Sequence, residues 1–293
     1  MSGDLAFALR GVGATAGPRF ALRDVSFELP TGYVMGLIGA NGAGKTTIIR
    51  SMLGMRPIDT GEIELLGHRV PGPVALRQDV GVVLDHTYLV GDWRLAEVER
   101  TLRPFYDRWD SGRYRQLLGE FGLDPAAKVK DLSRGMAMKL MIAVALSHRA
   151  RLLVFDEPTS GLDPVARDEL VGIVGDFLVD EGHSVLFSTH ITADLDRIGD
   201  YVTLIHDGRI VRTGTKDDVL DAYRLVRGGP DDLTGLVGVE LIGLRRNGTG
   251  AQALVPAAEA ALLGGHVLVE APTLEDIAVH IGARAPRRKA EMA

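Results

Sequence analysis

Cysteine is absent from the chain. That excludes disulfides and thiolate–metal sites, and it permits a reducing compartment without requiring one. There is no basic surplus either, since 33 Lys and Arg stand against 39 Asp and Glu for a net charge of −6. Without a broad positive field, nucleic acid is not an expected partner. No apolar run approaches the ~18–20 residues that cross a bilayer. The opening Met1-Ser2-Gly3-Asp4 lacks the basic and apolar regions of a secretory signal. These absences predict a soluble, cytoplasmic chain that meets a membrane only through a partner. Its 293 residues leave room for one large domain and a small appendage.

What is present is concentrated in one stretch. Gly39-Ala40-Asn41-Gly42-Ala43-Gly44-Lys45-Thr46 fits the phosphate-binding pattern G-x-x-x-x-G-K-[ST]. The apolar Tyr33–Ile38 before it reads as a buried strand, and Thr47–Leu53 after it as the start of a helix. That strand–loop–helix setting is what the pattern requires. Glycines let backbone N–H groups converge on one point, where the helix N-terminus adds partial positive charge. Lys45 is then placed to reach the β- and γ-phosphates and the Thr46 hydroxyl to ligate Mg²⁺. The expectation is a nucleoside triphosphate site.

Around this stretch the pattern predicts an α/β fold. Two strands (about 5–10 and 21–29) flank a glycine-rich connection at 11–18, and further strands are expected at 62–66 and 80–84. From about 92 to 148 the apolar spacing becomes helical, as with Leu95, Val98, Leu102 and Phe105. Ser133 reads as an N-cap within that insert. Later come strands at 152–155, 184–187, 201–206 and 209–211, with helices at about 164–181 and 191–198. Strands alternating with helices argue for a mostly parallel sheet. The character changes near Gly228-Gly229-Pro230, so the predicted boundaries are a domain over 1–223 and a small α+β appendage over 224–293. Arg287-Arg288-Lys289 reads as a solvated tail.

A second chemical feature lies far from the first in sequence. Leu152-Leu153-Val154-Phe155-Asp156-Glu157 sets two carboxylates at the end of a buried strand, where ligands collect in open α/β sheets. Asp156 suits the shell of a Mg²⁺ ion, and Glu157 suits polarising a water. His190 ends another strand, where it is either a γ-phosphate contact or an ordinary polar terminus.

Together these residues resemble the nucleotide-binding subunit of an ATP-binding cassette (ABC) transporter, over about positions 5–222. Asn41-Gly42-Ala43-Gly44-Lys45-Thr46-Thr47 matches that family's Walker A loop, and Leu152–Glu157 its Walker B strand. Ser160-Gly161-Leu162-Asp163 resembles the D-loop, Ser188-Thr189-His190 the switch-histidine region, and Leu132-Ser133-Arg134-Gly135-Met136 occupies the slot of the LSGGQ signature. The resemblance implies a P-loop core with an N-terminal antiparallel β-subdomain and a helical subdomain. It further implies ATP and Mg²⁺ as ligands, ATP hydrolysis, and a second cassette, identical or paralogous, closing over the nucleotide. Ser133, Gly135 and Asp163 would then serve the shared site, and a separate transmembrane permease would place the subunit on the inner face of the cell membrane. The chain departs from the family pattern in three respects. Arg134 and Met136 replace signature residues, Asp85 stands where a glutamine is expected, and Gly11–Pro18 lacks the adenine-stacking aromatic, leaving Phe20 nearest. Asp85 remains a candidate Mg²⁺ ligand as a carboxylate, though it repels a γ-phosphate and donates no hydrogen bond.

Phe187–Thr192, Ile205–Ile210 and Ala271–Ile277 resemble bacterial ABC-2-type exporter ATPases. Two other classes compete with this reading. A soluble ABC ATPase acting on a macromolecule usually has fused cassettes or a long coiled coil, and the chain has neither. A GTPase would use Thr215-Lys216-Asp217-Asp218 to read guanine, but that stretch reads better as a helix cap.

Overall fold

The computed structural model describes residues 4–18, 20–233, 238–264 and 267–283. Its centre is a sheet with three inner strands buried along their whole length. β3 (Val34–Ile38), β7 (Leu152–Asp156) and β8 (Ser184–Thr189) are buried at every residue, the mark of strands covered on both faces. With β6 (Val80–Val83), β9 (Tyr201–His206) and β10 (Arg209–Thr215) they form six strands ordered β10-β9-β3-β8-β7-β6. All neighbours run parallel except β9 and β10. The register aligns Leu37 with Ser188 and Ser188 with Asp156. The loops leaving β3, β8 and β7 therefore emerge at one edge and one level.

A second sheet is antiparallel, ordered β2-β1-β4-β5 from β1 (Leu5–Thr15), β2 (Ala21–Pro30), β4 (Thr60–Leu65) and β5 (His68–Arg69). Between the two sheets lies α1 (Lys45–Met52), whose Ile48, Ile49 and Met52 are fully buried among residues of both. The expected glycine-rich connection at 11–18 is mostly strand, because β1 continues to Thr15. The pairing with β2 slips between Leu9 and Val12 and again before Ala14, and Gly11 at φ 60 absorbs the first irregularity as a bulge.

The segment from 92 to 148 folds as α2 (Leu95–Leu102), α3 (Ser111–Glu120) and α4 (Arg134–Ser147) around their own apolar cluster of Leu95, Val98, Tyr114, Leu117 and Val144. The Tyr114 hydroxyl donates to the Leu95 carbonyl at 2.9 Å, tying α3 to α2. Beyond Lys139, α4 is almost wholly apolar and buried, as a helix covered on several sides must be. Its Met138, Met141, Ile142 and Ala145 belong to the central core while Leu140 and Val144 belong to the helical one. α5 (Pro164–Phe177) stops four residues before the expected end. The Leu178 N–H closes back onto Val174 and Gly175, and the His183 ring stacks on Phe177.

After α6 (Ala193–Ile198) the tight turn Asp207-Gly208 joins β9 to β10 and touches the phosphate loop. The Gly208 N–H donates to the Ala43 carbonyl at 2.9 Å, and its own carbonyl accepts from Arg23 of β2 at 2.9 Å. Then come α7 (Lys216–Asp221), β11 (Tyr223–Gly228), β12 (Ile242–Asn247), β13 (Gly250–Pro256), β14 (Leu268–Glu270) and α8 (Leu274–Gly282). The last four strands make a third sheet ordered β12-β13-β11-β14. Its Leu225 and Leu254, with Leu274, Ile277 and Ile281 of α8, share one core with Leu195 and Leu204. The basic tail at 287–289 lies outside the described residues.

Candidate functional site

The loop after β3 turns back on itself through Ala43 N–H to Ala40 carbonyl at 3.0 Å. α1 then starts at Lys45 with no acidic residue in its first turn and no side-chain cap. Its leading N–H groups are thus free for an external anion. Gly44 is required where it stands: its φ of 120° lies in the left-handed region, and a Cβ would sit 2.9 Å from both Leu22 and Phe20. Ala43 turns into the core. Asn41, Gly42, Gly44, Lys45, Thr46 and Thr47 line a cavity of about 570 Å³.

Lys45 is only 5% exposed and is held by two backbone carbonyls and one carboxylate. Nζ donates to the Gly39 carbonyl at 2.6 Å and the Ala40 carbonyl at 3.3 Å. It pairs with Glu157 Oε1 at 2.9 Å. The other Glu157 oxygen meets His190 Nδ1 at 2.6 Å, so a histidine, a carboxylate and an ammonium form a continuous chain on the cavity wall. The Glu157 backbone sits at φ 54, a conformation that costs energy outside glycine and collects at functional sites. Ser188 steadies it, accepting the Glu157 N–H at 3.1 Å on both its carbonyl and its hydroxyl.

Asp156 lies below this chain, 3% exposed. Its Oδ1 accepts from the Thr46 hydroxyl at 3.2 Å and from the Ser188 hydroxyl at 2.9 Å. Burial pushes the carboxyl above the ordinary range, the two hydroxyls pull it back, the charge of Glu157 raises it further and that of Lys45 lowers it. The Thr46–Asp156 pair fits a magnesium ion: both donors are hard oxygens, already adjacent. Among the described residues no three His, Asp or Glu side chains are grouped to hold a metal alone. An ion here would complete its shell from bound phosphate and water, the usual habit of Mg²⁺.

Ser133, Gly135 and Asp163 lie outside the cavity lining, whereas Asp85 and Phe20 are part of it. Ser133 caps α4, its hydroxyl accepting from Met136 N–H at 3.3 Å. Gly135 lies against Leu162. Asp163 caps α5, accepting from Val165 at 2.9 Å and Ala166 at 3.0 Å, and the Ala166 N–H foremost holds its carboxyl below the usual range. Asp85 lines the cavity, but its oxygens are engaged by Arg134 and, at 3.2 Å, by His86. Phe20 is half-buried at the cavity rim beside Gly44. Gln78 is bonded to the Phe105 carbonyl and the Asp107 N–H, at 2.8 and 3.0 Å. Thr215 is a helix cap, accepting from Asp218 N–H at 3.2 Å, which removes the guanine-reading alternative's motif. Two participants lie within family motifs but make contacts that no motif announces. Ser188 joins both carboxyl-bearing residues only through the strand register, and Arg134 meets Asp85 across 49 positions.

Comparison with known proteins accords with this geometry. Residues 22–160 match the family described as ABC transporter. The Nod factor export ATP-binding protein I of Rhizobium leguminosarum bv. viciae is 33% identical over 252 residues, which cover 80% of this chain and 78% of that protein. An uncharacterized ABC transporter ATP-binding protein of Bacillus subtilis is 31% identical, covering 69% of this chain and 67% of that one. A solved structure described as an ATP-binding subunit of an ABC transporter aligns with a TM-score of 0.67 at 30% identity, over 73% of this chain and 91% of the other. Sequence motifs, a six-stranded core with its phosphate loop, and relatives matched over most of their length converge: the chain belongs to the ABC transporter family, as an ATP-binding subunit with ATPase activity.

Proposed function

We propose that ATP and Mg²⁺ occupy the cavity above α1 and that their hydrolysis drives a separate membrane permease, in an exporter at the inner face of the cell membrane. The observation that carries this reading is the contact of Thr46 with Asp156 beside the Lys45–Glu157–His190 chain. Export is supported by the name of the rhizobial relative, a Nod factor export ATP-binding protein. No helix among the described residues is long and apolar enough to cross a membrane, so the conduit is assigned to a partner.

Each residue has a distinct task in this reading. Loop N–H groups between Gly39 and Thr47 hold phosphate oxygens, that of Ala43 excepted because it is bonded to the Ala40 carbonyl, and Lys45 leaves Glu157 to reach the outer phosphates. Thr46 and Asp156 hold the magnesium ion, which when bound neutralises charge on the phosphate oxygens. A metal role for Asp85 requires breaking its ion pair with Arg134. Glu157, freed on one oxygen, orients a water and accepts its proton, and His190 positions Glu157 and hydrogen-bonds the terminal phosphate. Phe20 supplies the rim against which a base can rest. Ser133, Gly135 and Asp163 face the cavity of a second cassette, identical or paralogous, so that ATP is gripped from both sides. Loss of the γ-phosphate then removes contacts made only in the closed state, and the population shifts open.

The domain division follows the same reading: residues 1–223 as the cassette with its helical subdomain at 92–148, and 224–293 as an accessory lobe. The permease is assigned to the cleft between central sheet and helical insert. There Tyr88, Tyr106 and His148 line a cavity of about 470 Å³, close to the Asp85–Arg94 segment.

Glu157→Gln tests the assignment. ATP binding should persist, turnover should fall by at least about 10²-fold, and an ATP-bound dimer should accumulate on size exclusion. Turnover at the parent rate would remove Glu157 from the chemistry.

A further inference from the structure

Asp85 lies two residues beyond the end of the edge strand β6, and Arg134 opens α4. Their ion pair therefore spans the gap between the central sheet and the helical insert. Both side chains line the cavity that contains Lys45, Glu157 and His190. The guanidinium also rests against the backbone after the acidic pair, where a Cβ on Gly161 would lie 3.3 Å from Arg134 Nη1. One cation is thus held between two loops and the mouth of the phosphate cavity.

We propose that the Asp85–Arg134 pair is a nucleotide-sensitive latch, in which bound triphosphate takes Arg134 from Asp85 and thereby releases the first turn of α4. The reason is the sign of the charges. A triphosphate in this cavity attracts Arg134 and repels Asp85, so one ligand acts on both ends of the pair in the same opening sense. The pair is also cheap to exchange, since its side chains are 43% and 38% exposed and such pairs hold only weakly. The other charged groups nearby are already matched. His86 faces Asp85, Lys45 faces Glu157, and Lys139 on α4 faces Glu169. Movement at the start of α4 reaches both cores, because Met138 and Met141 belong to one and Leu140 and Val144 to the other. The inference rests on the assignment of this cavity to the nucleotide.

The test is calorimetric titration of the full chain with AMP-PNP·Mg²⁺ and ADP·Mg²⁺ at low salt. Five proteins are compared: parent, Asp85→Asn, Arg134→Gln, the double variant and Lys45→Ala. Asp85→Asn should tighten AMP-PNP about fivefold when Arg134 is present and by no more than about twofold when Gln occupies 134, factors set by the strength of a half-exposed pair. The effect on ADP should be smaller, and raising salt to about 0.5 M should shrink both through screening. Equal factors in the two backgrounds, equal effects on AMP-PNP and ADP, or unchanged or weaker triphosphate binding in Asp85→Asn would each overturn the latch. Parent-like affinity in Lys45→Ala would instead overturn the site itself. Loss of binding there with equal factors at 85 overturns the latch alone.

Discussion

Glu157 divides its two oxygens between Lys45 and His190, and this division sets what each neighbour can do. A carboxylate held on one side by an imidazole keeps its direction when the ammonium moves off toward phosphate. His190→Ala should therefore leave ATP affinity within about twofold while lowering turnover by about 10²-fold, the low end for a group assisting proton transfer. Steady-state ATPase rates beside a binding titration separate the two effects; weakened binding at unchanged kcat would contradict the positioning role. At this scale legibility depended on distance along the chain. The phosphate loop declares itself because its glycines, Lys45 and Thr46 are contiguous. Asp156 and Glu157 declare themselves as acids ending an apolar strand. Ser188 does not, since its link to Asp156 exists only once β7 and β8 are in register. The Asp85–Arg134 pair is equally silent in the sequence, where each residue shows only as a departure from the family pattern.

Elements were easier to recognise than their ends. Buried strands read correctly because β3, β7 and β8 each carry a short apolar run, Val34–Ile38, Leu152–Phe155 and Val185–Phe187. Their lateral order, with β8 inserted between β3 and β7, has no trace in local periodicity, and the bulged continuation of β1 was hidden by its glycines. The dipeptide Asp207-Gly208 is itself a hairpin signal, but its grip on the phosphate loop leaves no mark in the sequence. That grip is testable. Gly208 has φ 71 and a Cβ there would lie 2.2 Å from the Ala21 carbonyl oxygen, so Gly208→Ala must push the turn away from β2 or from Ala43. Thermal unfolding should show a loss of at least about 1 kcal/mol, as for alanine forced to positive φ. ATP affinity should weaken with it, although position 208 does not line the cavity. An affinity identical to the parent would mean that the loop keeps its shape without the Gly208 hydrogen bond.

For the molecule as a whole, a change of character near 228–230 marked the start of a new region, but composition gave no hint of how tightly that region is joined to the rest. Leu274, Ile277 and Ile281 of α8 are buried in the same core as Leu195 and Leu204. A chain ending at Ala222 should lose far more than an ornament. Each such aliphatic side chain contributes about 1.5–3 kcal/mol when buried, so the unfolding midpoint should fall by at least about 5 °C, with aggregation as apolar surface is uncovered. A midpoint unchanged from the full chain would show that the lobe is merely tethered. α8 bears directly on α6 and β9, and α6 begins at Ala193, just past His190. α8 is thus a buttress behind the sheet edge that carries His190, and whatever tilts the buttress strains the masonry that holds the histidine.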